Sequence, residues 1–261
     1  MDGNPIRRRL AAGERLYGCW ISTASPAVAE LLAHAGYDFL VIDQEHGPGT
    51  IPDAVHMLRA CDAAGCPAIV RVPWNDQVYL KRILDAGARS VMVPMVETPE
   101  EAEAAAAACR YPPLGRRGYA APAMRCSAYG FRAEYRARAH EELFLIAQIE
   151  SAAAATRAQA IAAVDGIDMV LIGVNDLAGT IGRLEQLDHP EVRALVATAE
   201  AGLRAAGKPM GTVPSAARTA AQLFAEGYAL VAGAGDVPLL REAARADLRA
   251  ARGGGGSAGP Y

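Results

Sequence analysis

Short, continuously apolar runs recur along this chain, and each is followed by a stretch with helical spacing. The runs are Leu16–Ile21, Phe39–Ile42, Ala68–Val72, Ser90–Val96, Leu143–Ile149, Met169–Ile172, Pro209–Val213 and Ala229–Val231. The helical stretches are Pro26–Ala35, Pro52–Ala63, Gln77–Ala86, Pro99–Cys109, Ala152–Ala163, Glu191–Ala206, Ala216–Ala225 and Leu239–Ala251. Strands that are apolar on both faces fit a parallel sheet buried on both sides. Eight β–α units in one chain predict an α/β fold, a closed (β/α)8 TIM barrel, rather than an open doubly wound sheet. Local punctuation agrees. Thr98-Pro99-Glu100-Glu101 places a cap, a first-turn Pro and two acids at a helix start. Gly36, Gly65, Gly87, Gly207 and Gly227 each close a helical stretch.

One interval breaks the rhythm. Residues 111–142 are rich in Arg, Tyr, Pro and Gly, and a loop of that length is expected to be functional or to carry small helices. Following the fourth strand, it is expected on the active-site face. There Arg117, Arg125 and Arg132 would either hold a carboxylated substrate or pair with surface acids. A barrel domain over 5–251 and a flexible Gly-rich tail over 252–261 account for nearly all of the 261 residues. Arg7–Arg9 reads as a solvated N-terminal segment, too weakly followed by apolar residues for a signal peptide.

Composition narrows the function. A net charge of −3 argues against nucleic acid as a partner. No run of apolar residues is long enough for a membrane span. Five cysteines without a CxxC pair suggest reduced thiols in the cytoplasm, with Cys19 and Cys109 as core filler. The GxGxxG fingerprint is absent after the first strand, so no role for NAD is expected.

Barrel enzymes place their chemistry at the C-terminal ends of the strands. Here those ends carry Ser22-Thr23, Asp43-Gln44-Glu45-His46, Arg71, Glu97, Gln148-Ile149-Glu150 and Asn175-Asp176, whereas strands seven and eight end quietly. Glu150 and Asp176 end neighbouring strands and can share one hard divalent cation, Mg²⁺ or Mn²⁺, or else simply cap the helices that follow. His46, on a turn before Gly-Pro, suits a general base, with Asp43 accepting from one ring N–H. Its alternative is an idle turn residue. A buried Arg71 needs an anion, either substrate or the acids at 43 and 45. His34, His56 and His189 read as structural.

These segments resemble the HpcH/HpaI family of class II pyruvate aldolases, of the 4-hydroxy-2-oxoheptanedioate and 2-keto-3-deoxy sugar acid aldolase type. The resemblance rests on Phe39–Pro48, Val70–Pro73, Leu84–Gly87, Val93–Thr98, Tyr111–Gly118, Gln148–Ser151 and Ile172–Leu177, and it runs from about residue 5 to 250. It implies a metal on Glu150 and Asp176, with Co²⁺ or Zn²⁺ as alternatives to Mg²⁺ and Mn²⁺. It further implies acid–base work by His46 oriented by Asp43, and oxyanion stabilisation by Arg71. Gln148 would lie near the pyruvate carbonyl, and the Gly173–Asn175–Asp176 turn would hold the pyruvate carboxylate. A homo-oligomer is implied as well, a hexamer built as a trimer of dimers. Two departures stand out: Gln44 and Gly47 where many relatives have Gly and Ala, and Val174 and Ala178 where many have Pro and Ser.

The expected reaction is cleavage or formation of a 4-hydroxy-2-oxo acid, to or from pyruvate and an aldehyde, through a metal-stabilised enolate. A Schiff-base route needs a lysine at the barrel mouth. Lys81 reads as a helix-surface residue and Lys208 precedes strand seven, so neither that route nor a PLP cofactor is expected. An acyl-CoA lyase of the citrate-lyase β-subunit or malyl-CoA type lacks a basic cluster for the CoA phosphates. A non-catalytic acid-binding barrel would not need a poised base.

Overall fold

In the computed structural model, residues 3–252 are described. Of the tail expected at 252–261, only Arg252 falls within them. The strands are β1 (Leu16–Ile21), β2 (Phe39–Asp43), β3 (Ala68–Arg71), β4 (Ser90–Val93), β5 (Phe144–Ile149), β6 (Met169–Ile172), β7 (Met210–Thr212) and β8 (Leu230–Gly235). All pair in parallel in chain order, and β8 closes on β1. The predicted barrel is therefore the observed one.

Side-chain parity divides the barrel into two apolar layers. Leu16, Phe39, Val41, Ile69, Met92, Phe144, Ile146, Met169, Leu171, Leu230 and Ala232 point inward and fill the lumen. The intervening residues, such as Cys19, Leu40, Val70, Val91, Leu145 and Val170, point outward against the helices. Those helices are α2 (Pro26–His34), α3 (Ile51–Ala64), α4 (Gln77–Asp85), α5 (Pro99–Cys109), α7 (Ala152–Thr156), α8 (Ala158–Ala163), α9 (Val174–Thr180), α10 (Pro190–Ala206) and α11 (Ala220–Ala225). The single helix expected at 152–163 is interrupted at Arg157, whose guanidinium donates to Glu97 O at 3.2 Å. The cysteines are free and buried, and burial pushes the Cys19 thiol to about 11 and the Cys109 thiol to about 12, which leaves them inert.

The Arg7–Arg9 segment is not a solvated arm. It lies in α1 (Pro5–Ala11), a helix that closes the floor of the barrel with fully buried Ile6. Asn4 explains why. Its side-chain oxygen caps α1, and its amide donates to Arg89 O, Ser90 Oγ and Glu142 O at 3.0–3.1 Å, tying the feet of β4 and β5 together. Arg7 pairs with Asp168 and Arg9 with Asp38, so the run is spent on anchoring.

The 111–142 interval also corrects an expectation. It joins the end of α5 to the start of β5, so both its ends lie at the floor of the barrel, opposite the mouth. It carries α6 (Tyr135–Glu142) and two single 3₁₀ turns. Its arginines pair with acids: Arg117 with Asp85 and Arg125 with Asp62, both at 2.6 Å, and Arg132 with Glu142. Pairing with acids is thus observed, but only Asp62 lies at the surface, Asp85 and Glu142 being largely buried. The last helix, α12 (Asp236–Ala251), stands off the barrel, with Asp236 its only buried residue.

Candidate active site

Inward parity continues past the apolar layers, and at the mouth it is polar. On β2 the inward series Phe39, Val41 ends in Asp43. On β3 Ile69 is followed by Arg71, and on β5 Phe144 and Ile146 are followed by Gln148 and then Glu150. Asp43 and Arg71 are direct neighbours in the β2–β3 register. Arg71 Nε and Nη2 donate to Asp43 Oδ1 and Oδ2 at 3.0 and 2.7 Å, a two-pronged buried pair. Arg71 Nη1 lies 2.9 Å from Glu45 Oε2, and the guanidinium stacks 4.5 Å from the centre of the Trp20 ring. Arg71 is thus held on three sides and already has anions at hand.

Asp43 does not meet the His46 ring as expected. Its oxygens are taken by Arg71 and by the main-chain N–H groups of Glu45 and His46, at 3.1 and 3.3 Å. The carboxylate beside the imidazole is that of Glu45, 3.8 Å from Nε2, and the His46 side chain is 67% exposed. Asp43 therefore fixes the backbone of the turn, and Glu45 stands between the imidazole and the guanidinium. Gly47 permits this turn: a Cβ there would lie 2.3 Å from Asp43 O.

Glu150 is 2% exposed. Its Oε2 accepts from the Met95 N–H at 3.0 Å, and its Oε1 accepts from Gln148 Nε2. Burial, with help from the charges of Glu45 and Asp176, pushes its carboxyl up to about 7, against the opposing pull of the Met95 N–H and Arg71. Burial likewise raises Glu45. Neither suspected ligand is a helix cap: Ser151 caps α7, and Gly173 precedes α9 with no side-chain cap bond. Asp176 and Asn175 lie exposed in the first turn of α9. The Gly173 N–H, expected to face substrate, donates to Ile149 O at 3.0 Å. What Gly173 contributes is space, since a Cβ there would lie 2.5 Å from Glu150 Oε1.

Several residues at the mouth carry no sequence motif. Met95 adopts a left-handed backbone (φ 51°) that turns its N–H toward Glu150. Trp20 was findable, as the last inward position of β1. Asp236 accepts from Ser22 N, Thr23 N and Thr23 Oγ1 at 2.6–3.0 Å, so the eighth strand does not end quietly but latches the loop after β1. Two cavities of about 370 and 340 Å³ lie elsewhere, one beneath the 111–142 interval and one between α10 and α11. The polar cluster sits instead at the open mouth, where His46 and Asp176 meet solvent.

A metal is compatible with this donor set. Asp43 and Glu45 flank one guanidinium, Glu150 and Asp176 lie close enough for their charges to act on the same cluster, and the buried Gln148 Oε1 lacks a hydrogen-bond donor. The donors are hard oxygens, suited to Mg²⁺ or Mn²⁺. Among the described residues no three His, Cys, Asp or Glu side chains converge as a closed cage. Protein oxygens would thus fill part of a coordination shell and leave the rest to substrate and water.

A parallel barrel with acids, one clamped guanidinium and one solvent-facing imidazole at its mouth defines an enzyme equipped for carbanion chemistry beside a carbonyl. The chain belongs to the HpcH/HpaI aldolase/citrate lyase family, which it matches over residues 16–243. It is 44% identical over 230 residues to a 4-hydroxy-2-oxovalerate aldolase of Novosphingobium aromaticivorans, covering 88% of this chain and 87% of that one. It is 39% identical over 241 residues to a hydroxypyruvate/pyruvate aldolase of Chromohalobacter salexigens, covering 92% and 94%. A crystal structure of an HpcH/HpaI aldolase/citrate lyase family protein from Burkholderia cenocepacia J2315 superposes with a TM-score of 0.90 at 39% identity, over 95% of this chain and 99% of that one. This protein is a carbon–carbon lyase of the pyruvate-aldolase class.

Proposed function

We propose that the protein cleaves or forms 4-hydroxy-2-oxo acids, to or from pyruvate and an aldehyde, with a divalent metal held by Glu150 and Asp176. The observation that carries this reading is the excess of carboxylates over the single Arg71 in the mouth cluster, in which Glu150 is held up to about 7. When bound, the ion supplies Lewis acidity at the 2-oxo acid carbonyl. Arg71, immobilised by Asp43, Glu45 and Trp20, presents fixed positive charge where the oxyanion develops. Gln148 and the first turn of α9, with Asn175, border the position of the 2-oxo acid. His46 takes the proton of the 4-hydroxyl in cleavage and returns it in synthesis, with Glu45 beside its ring. Lys208 Nζ donates to Ile167 O at the barrel floor, remote from any imine chemistry at the mouth.

The assay is pyruvate methyl-proton exchange in D₂O and cleavage of 4-hydroxy-2-oxovalerate, with and without Mg²⁺ or Mn²⁺. Metal-dependent turnover that is lost in Glu150→Gln and reduced to a small residual rate in His46→Ala is expected. Turnover in stripped enzyme that survives Glu150→Gln would refute the metal assignment. Self-association belongs to the same reading. Val237, Leu239, Leu240 and Leu248 of α12 are exposed, and an amphipathic helix without a partner surface suits a second copy. Light scattering should show a homo-oligomer, a hexamer on the family pattern, and a monomer at micromolar concentration would refute it. Among the described residues no helix is long and apolar enough to cross a membrane.

A further inference from the structure

His46 does the proton transfer in the reading above, yet its ring has little to hold it. The side chain is 67% exposed, and its nearest ionic neighbour is Glu45 at 3.8 Å. The position of the imidazole is therefore set by the backbone of the 43–50 turn. Asp43 fixes the near end of that turn through the N–H groups of Glu45 and His46. The far end is held by Gln44. This residue is 4% exposed, and its side chain donates from Nε2 to Thr50 O at 2.6 Å. Thr50 is itself fixed as the cap of α3 through Asp53. The other end of the Gln44 amide accepts from the Tyr79 hydroxyl, on α4. That helix is a firm base, capped by Asp76 and seated on buried Leu80, Ile83 and Leu84.

We propose that Gln44 and Tyr79 form a clamp that positions His46 for proton transfer; the proposal rests on the function assigned to His46 above. The chemistry of the amide is what the clamp needs. Gln44 must accept from a hydroxyl on one side and donate to a carbonyl on the other, so each neighbouring element locks the orientation of the amide for the other. Neither residue touches substrate in this scheme, and both are positioning residues. Displacing a general base by a fraction of an ångström costs rate rather than substrate affinity, about tenfold or more.

The test compares Gln44→Ala, Gln44→Glu and Tyr79→Phe with wild type and His46→Ala, using cleavage of 4-hydroxy-2-oxovalerate in saturating Mn²⁺. Gln44→Ala and Tyr79→Phe should each lower kcat about tenfold, with KM within about twofold; the melting temperature should stay nearly unchanged in Tyr79→Phe and fall by a few degrees in Gln44→Ala, whose buried amide is lost. Gln44→Glu keeps the acceptor for Tyr79 but loses the donor to Thr50, and should also lose rate. In the His46→Ala background, Gln44→Ala and Tyr79→Phe should change the residual rate by less than about twofold, because the clamp acts only through the imidazole. Wild-type kcat in both single variants, alongside a strongly impaired His46→Ala, would overturn the clamp alone. Equal losses with and without His46 would also overturn it, by showing a general structural effect. A fully active His46→Ala would instead overturn the function assigned to His46.

Discussion

Replacing Glu150 by Gln probes the electrostatics of the mouth without any substrate. Burial is the main cause that lifts this carboxyl from its ordinary 4.5 to about 7. Below pH 4.5 the group is protonated in both the folded and the unfolded chain, and it imposes no penalty. As the pH rises toward 7 the unfolded chain releases this proton while the folded one keeps it, so the folded state loses stability. Above 7 the loss is complete, at about 3 kcal/mol. Gln keeps the shape of the side chain. Its carbonyl can accept from Met95 N–H, and its amide can donate to Gln148 Oε1, which has no donor at present. Metal-free Glu150→Gln should therefore match wild type near pH 4.5 and be more stable by about 3 kcal/mol at pH 8.5. Urea unfolding of stripped protein across that range, with unchanged m values, measures the difference. A difference that does not vary with pH, or a variant less stable than wild type at pH 8.5, would refute the reasoning. The same variant should be inactive with metal, making Glu150 a residue retained at a cost in stability.

The raised Glu150 also predicts proton release on metal binding. Calorimetry at pH 6 in buffers of different ionisation enthalpy should show close to one proton released, and affinity should rise with pH and flatten above about 7. Binding without buffer dependence would contradict it. Gly173→Ala would place a methyl group 2.5 Å from Glu150 Oε1 and should weaken Mn²⁺ binding at least about tenfold in a folded protein. Wild-type affinity would show that the carboxylate moves freely. Arg71→Ala leaves Asp43 buried and unpaired, and should cost about 3–5 kcal/mol in urea unfolding as well as activity. A loss below 1 kcal/mol would mean that water replaces the guanidinium.

The barrel was legible because its signal is repeated eight times, and an error at one end of a strand changes nothing in the closed order of pairing. The first helix was not legible: its core contribution is chiefly Ile6, and Arg7 and Arg9 look solvated until Asp168 and Asp38, just ahead of β6 and β2, are brought to them. The 111–142 interval was assigned to the wrong face because chain order was read from β4 rather than from the end of α5. At the mouth, the acids, His46 and Arg71 were legible from their places after apolar runs. The pairing of Arg71 with the acids at 43 and 45 was among the alternatives, but the carboxylate beside the His46 ring was not, because Asp43 and Glu45 share one parity and differ only in how far along the chain they stand. Parity was present in the sequence all the same. Counting inward from Phe39 or Phe144 reaches Asp43 and Glu150 in steps of two. The left-handed turn at Met95 left no residue signature, since glycine or asparagine would normally announce it.

That turn has an evolutionary consequence. The group that steadies Glu150 there belongs to the main chain, and proline is the one amino acid unable to supply it. Nineteen of the twenty amino acids therefore keep the N–H at position 95, and substitution there is screened chiefly by tolerance of the left-handed backbone. A lineage can replace the methionine with glycine or asparagine at little conformational expense, or with a β-branched residue only against strain. Its absence from a list of invariant residues would say nothing about its hold on Glu150.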